Sequence, residues 1–174
     1  MLIILSGLPG TGKTTIAREL ARRLGAVHIR IDSIEQAIRN SGVVQNPIDD
    51  AGYRVGYAVA EDNLRLGLTV IADSVNPLHI TRAAWRAAAV RAERPSVEVE
   101  IVCTDLDEHR RRVRARMPDL QGHTLPTWPE IVEREYEQWD REPIRIDTAE
   151  TAIEQAVAMI SSHMERIGAT PETF

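Results

Sequence analysis

Lysine is almost missing from this chain. Its 174 residues include twenty arginines and one lysine, Lys13. Cysteine is equally scarce. The single Cys103 excludes an internal disulfide framework and any multi-cysteine zinc site. It falls in an apolar run and reads as a core residue rather than a reactive thiol. The five histidines (His28, His79, His109, His123 and His163) form no metal-ligand spacing. No apolar run reaches transmembrane length. The N-terminus lacks a basic leader, so a cytoplasmic location is expected. The formal net charge of −5 gives no overall attraction to nucleic acid or to an anionic membrane.

What is present is concentrated around the one lysine. Gly7-Leu8-Pro9-Gly10-Thr11-Gly12-Lys13-Thr14 is G-x-x-x-x-G-K-T, the phosphate-binding P-loop. An apolar run, Met1 to Leu5, precedes it. A helical pattern follows, with Ile16, Ala17, Leu20, Ala21 and Leu24 on one face and Gly25 as its stop. Strand, loop and helix are the context the motif requires. Gly7, Gly10 and Gly12 let backbone N–H groups turn inward on phosphates, with Thr11 among them, and the helix N-terminus adds its own unsatisfied donors. A compact ammonium at Lys13 reaches β- and γ-phosphate oxygens where a planar guanidinium would not. Thr14 is expected to ligate Mg²⁺ and Thr15 to touch the α-phosphate. Binding of a nucleoside triphosphate with Mg²⁺ follows. A GTPase base-reading motif, N-K-x-D, is impossible without a second lysine, but ATP and GTP are not otherwise separated.

The rest of the chain alternates strand and helix patterns. Strands are predicted over Val27–Asp32, Leu68–Ala72, Val97–Cys103 and Ile144–Asp147. Helices are predicted over 33–40, 47–66, 76–92, 107–117, 128–140 and 150–167. This order implies one α/β domain of the P-loop NTPase class: a five-stranded parallel sheet with helices on both faces and right-handed crossovers. The domain is expected over residues 1–168, with a lid at about 110–127 and a frayed tail at 169–174.

In such a sheet, ligands gather at the carboxyl ends of the strands. Asp32 and Asp73 end the second and third strands there. An acid beside the γ-phosphate can take a proton from an attacking hydroxyl or orient Mg²⁺ waters, so Asp32 is a candidate base and Asp73 a candidate metal and substrate ligand. Capping of the next helix is the alternative for both. Tyr57, with Tyr53 one turn before it, either lines an acceptor pocket with Arg54 and Arg39 or packs in the core. Trp85 reads as core. Asp105, Asp107 and Glu108 read as first-turn acids of a helix. That helix carries five arginines within Arg110–Arg116. Arg112 and Arg116 share a face and lead into a patternless loop. A lid closing on phosphates, a solvated face and a nucleic-acid patch all fit this run.

These residues resemble the small P-loop kinases of the nucleoside-kinase-like group, related to polynucleotide kinase, adenylylsulfate kinase and chloramphenicol phosphotransferase. Ile71-Ala72-Asp73-Ser74-Val75-Asn76, followed by Arg82 and Trp85, is similar to that group's third-strand pattern, which brings Asn76 into the expected substrate site. Arg112 and Arg116 look like its lid arginines. Asp147-Thr148 looks like its loop beside adenine. The resemblance implies γ-phosphoryl transfer from ATP to a hydroxyl, with Asp32 as base. One position departs from it. Polynucleotide and adenylylsulfate kinases carry an arginine three residues after this aspartate, where this chain has Glu35. A carboxylate is a poor clamp for an acceptor that is itself a phosphate ester, which tilts the expectation toward a neutral or cationic small molecule. A polynucleotide 5′-hydroxyl or nucleotide kinase, and a non-catalytic nucleotide-binding module, are the competing readings.

Overall fold

A computed structural model describes residues 1–42 and 48–168. The elements run β1 (Leu2–Ser6), α1 (Lys13–Leu24), β2 (Val27–Arg30), α2 (Ile31–Asn40), α3 (Ala51–Arg65), β3 (Val70–Asp73), α4 (His79–Arg91), β4 (Ser96–Val102), α5 (Leu106–Ala115), α6 (Trp128–Val132), β5 (Ile144–Asp147) and α7 (Ile153–Gly168). The five strands form one sheet in the order β2-β3-β1-β4-β5, and every pairing is parallel.

Strand β1 is buried along its whole length and divides the core by simple alternation. Ile3 and Leu5 pack with Ile16 and Leu20 of α1 and Val157 and Ile160 of α7. Leu2 and Ile4 face the other way, with Ala60 and Leu64 of α3 and Trp85 of α4. Helices on both faces leave no wet side for the central strand, hence its unbroken apolar sequence. Trp85 is fully buried, and Cys103 is 6% exposed. The expected start of the long helix at Pro47 lies outside the described residues, as does the tail beyond Gly168.

Two expectations need correction. The second strand stops at Arg30, and Asp32 sits in the first turn of α2. The helix expected over 128–140 is only α6, five residues long, opened by a Thr127–Glu130 capping box. The segment after it wraps around Arg82 instead. This guanidinium is fully buried. It donates to the carbonyls of Asn76 and Pro77 on one side and of Glu137 and Gln138 on the other. It also lies over the rings of Tyr136 (5.1 Å) and Trp139 (4.3 Å). Carbonyls that a helix would satisfy internally are satisfied by an arginine 55 residues away.

Candidate active site

The P-loop leaves the carboxyl end of β1, where neighbouring crossovers depart in opposite directions, toward β2 and toward β5. Gly7 has φ 137°, and a Cβ there would lie 2.1 Å from the Ile101 carbonyl oxygen, so no side chain fits. The Gly7 N–H donates to the Val75 carbonyl at 3.0 Å, tying the loop to the end of β3. His109 of α5 lies 2.8 Å from the Pro9 carbonyl and packs edge-on against Trp128, bracing the loop from the far side. Lys13 is 7% exposed, and its ammonium donates to the Leu8 carbonyl at 2.8 Å. Burial lowers its pKa to about 8. Asp73 and Asp32 oppose the shift, and Arg116 and Arg134 add to it.

Asp73 is 3% exposed, with its carboxylate 3.1 Å from His28 Nε2. Burial works to raise its pKa. The His28 contact, the Lys13 charge and the Thr14 hydroxyl outweigh burial and hold it below the usual carboxylate range. Asp32 is more open, with a side chain 38% exposed and Oδ2 3.5 Å from Arg30 Nη2.

Lys13, Thr14, Thr15, Asp32, Arg39, Asp73, Arg112 and Arg116 all line one cavity of about 790 Å³, with Gly10 and Gly12 in its floor. Lys13 and Arg116, 103 positions apart in sequence, thus face the same cavity. Gly7 and Thr11 shape the loop beneath the cavity, Thr11 through its hydroxyl bond to the Leu8 carbonyl. Asp147 and Thr148 lie outside the lining and brace it. Asp147 accepts from the backbone N–H and the hydroxyl of Thr104, and from the Ala149 N–H. The Thr148 hydroxyl donates to the Thr11 and Val102 carbonyls. Arg112 donates to Thr148 Oγ1 and O at 2.9 and 3.0 Å and to Glu108 at 2.7 Å. Asp105 caps α5 by accepting from the Glu108 N–H at 2.9 Å.

Three expected acceptor residues are not at the cavity. Asn76 is fully buried at φ 48° and donates to the Leu5 carbonyl at 3.2 Å, which makes it a fastening of the sheet edge. Arg54 points into solvent and pairs with Asp50. Tyr57 packs edge-on against Trp85 at 4.7 Å. Tyr53 lines the cavity in its place, accepting from the Asn76 N–H.

Sequence reasoning missed Arg134, Glu130, Gln36 and Ser74, which also line the cavity. The side chains of Arg134 and Arg116 make no hydrogen bond or ion pair among the described residues. Arg134 was hidden because its segment read as part of one long helix over 128–140, where the structure has only the five residues of α6. Also missed was a contact that fastens the loop after α5. Asp119 receives Arg30 at 2.7 and 3.1 Å and Arg18 at 2.6 Å. The Arg30 side chain is 5% exposed. Its hydrogen bond is the main reason the Asp119 carboxyl is held far below its ordinary pKa.

The AAA domain family matches residues 2–128. The chain belongs to that family. Among curated proteins no sequence match was found. The fold of this AAA-domain chain is that of the small P-loop kinases. The adenylylsulfate (APS) kinase CysC of Mycobacterium tuberculosis, solved with AMPPNP and APS, superposes with TM-score 0.71 at 20% identity, over 94% of this chain and 96% of that one. A gluconokinase from Sinorhizobium meliloti 1021 gives TM-score 0.66 at 18% identity, over 98% and 97%. Kti12 of Chaetomium thermophilum, solved with ADP-AlF3, gives TM-score 0.67 at 23% identity, over 93% and 98%. No helix among the described residues is long and apolar enough to cross a membrane.

Proposed function

We propose that this chain is an ATP-dependent kinase that moves the γ-phosphoryl group to a hydroxyl of a small molecule. The observation that carries this reading is the shared cavity. A P-loop lysine and threonine, a carboxylate at the head of α2, and two unpaired arginines face one space. Lys13 exchanges its Leu8 carbonyl for a β- or γ-phosphate oxygen, and the amides of the loop hold the rest of the triphosphate. Asp32, the more exposed acid, takes the proton of the attacking hydroxyl. Arg116 and Arg134 sit where charge grows on the transferring group, and no carboxylate must be displaced before they act. Arg112 stays on the Thr148 loop and holds the nucleotide end of the cavity closed. Residues 110–127 are the lid of this reading, and Asp147 and Thr148 shape the base end.

The residues fit a Mg²⁺ ion that arrives with its nucleotide. The Thr14 hydroxyl and the Asp73 carboxylate are neighbours, both hard oxygens. The described residues hold no cluster of three potential ligands that would make a dedicated cage. Mg²⁺ characteristically takes one or two protein oxygens and completes its shell with phosphate and water. When bound, the ion neutralises phosphate charge. His28 keeps Asp73 ionised and oriented for it.

The test is ADP release by the full chain with Mg·ATP and a panel of hydroxyl compounds, beside the same assay without acceptor. A kinase releases ADP only with an accepted compound and yields a phosphomonoester. Equal ADP release with and without every compound would refute the proposal.

A further inference from the structure

We propose, resting on the kinase reading above, that the acceptor is an amine-bearing alcohol whose hydroxyl meets Asp32 while its ammonium meets Glu35. The cavity lining differs in charge from element to element. The P-loop, α5 and the α6 region bring Lys13, Arg111, Arg112, Arg116 and Arg134 to it against Glu130. At α2 and the end of β3 the signs reverse: Asp32, Glu35 and Asp73 line it against Arg39, with His123 from the loop after α5. The first set suits a triphosphate. The second would repel an acceptor that is a phosphate ester or a carboxylate, and would attract a cation.

Glu35 is hemmed in on its α3 side. Gly52 of α3 lies so close that a Cβ there would sit 2.4 Å from Glu35 Cγ. Burial raises the Glu35 pKa, with Arg39 as the chief opposing charge. The Arg39 guanidinium is 3.2 Å away and largely exposed. With its arginine in solvent, a pair one helical turn apart is weak and readily shared with an incoming ammonium. The other guanidinium beside Asp32, that of Arg30, lies outside the lining. Its forked face is already taken by Asp119. Asp32 and Glu35 are three residues apart on one face of α2. Their backbone positions differ by about 4.5 Å along the axis, so one short acceptor can reach both side chains.

The hydroxyl oxygen bonds to the γ-phosphorus as the bond from that phosphorus to the β–γ bridging oxygen breaks. The hydroxyl proton passes to Asp32 and ADP leaves. The ammonium keeps its protons and serves for binding alone.

The experiment compares length-matched trios of two to six carbons: an amino alcohol, a diol and a hydroxy acid. Each is assayed for ADP release with the full chain and Mg·ATP, and for binding by calorimetry in the presence of Mg·ADP. The expected result is a kcat/KM at least about tenfold higher for the amino alcohol than for its diol, with the hydroxy acid lowest. The best chain length places nitrogen and oxygen near the Asp32–Glu35 spacing. Glu35→Gln brings the amino-alcohol-to-diol ratio close to one, and Glu35→Lys moves the preference toward the hydroxy acid. Transfer to diols or hydroxy acids as fast as to amino alcohols, or a ratio unmoved by Glu35→Gln, overturns this inference and leaves the kinase reading standing. Amino-alcohol binding lost in Glu35→Gln, without transfer to any compound, would overturn the kinase reading and the acceptor role with it, leaving only an ammonium site at Glu35. Neither binding nor transfer in any trio overturns both.

Discussion

The two ends of the cavity are built in opposite ways. The phosphate end is a contiguous stretch of backbone, Gly7 to Thr15, whose geometry is dictated by glycines that admit no side chain. The acceptor end is assembled from side chains of α2, α3, the turn after β3 and the loop near His123. A polyphosphate is recognised by amide groups that any sequence possesses, so the chain needs only the right turn and one ammonium. An acceptor is recognised by side chains, and those vary freely. The contrast explains why a P-loop is easy to read and its acceptor is not.

Substitutions can break this comparison at either end. The largest expected effect is at the junction. Asp32→Asn should lower kcat by up to about 10⁴-fold and leave Mg·ATP affinity intact by calorimetry; near-normal turnover would remove Asp32 as base. Lys13→Ala strikes the phosphate end and should lower kcat/KM for ATP by about 10³-fold, read by initial rates across ATP concentration. Arg134→Ala tests the cation that sequence reasoning overlooked. It should cost about 10²-fold in kcat, whereas Arg110→Ala, outside that cavity's lining, should change little. Equal losses in the two variants would argue that the arginines act as general surface charge.

The smallest effect belongs to the fastening behind the acceptor end. Asp119 has a folded pKa below its unfolded value. Its stabilising contribution is therefore present above about pH 4 and drains away as pH falls through the folded value. The carboxylate is over a third exposed, so solvent screening holds the contribution to about 1 kcal/mol. Asp119→Asn should lower stability by that amount in urea titrations at pH 6, and the gap to the unmutated chain should close as the pH falls below 4. A gap that persisted unchanged at pH 2 would show that the carboxylate charge is not what holds the loop.

Much of the fold was legible because its signals are local. The apolar run of β1, the 3.6-residue pattern of α1 and the glycines between them each follow from neighbouring residues. What escaped reading depends on partners far away. Arg30 and Asp119 are 89 positions apart, and nothing in an alternating strand pattern marks one arginine as buried. The segment after α6 looks helical until Arg82 supplies hydrogen bonds to its carbonyls. Asn76 sits in a motif that resembles a substrate site, yet its φ of 48° and its bond to the Leu5 carbonyl make it a structural turn residue. Asp73, one strand-end earlier, faces the cavity from the same stretch. A motif specifies the path of the backbone more reliably than the role of each side chain along it.

The most direct test of the central claim is phosphorus NMR of the full chain with Mg·ATP and the amino-alcohol and diol panel, run beside Asp32→Asn. The account predicts that the γ-phosphate resonance declines while a phosphomonoester resonance rises in step, and that both changes are lost in the variant. Inorganic phosphate as the only new signal, or an unchanged γ resonance with every compound, would contradict it.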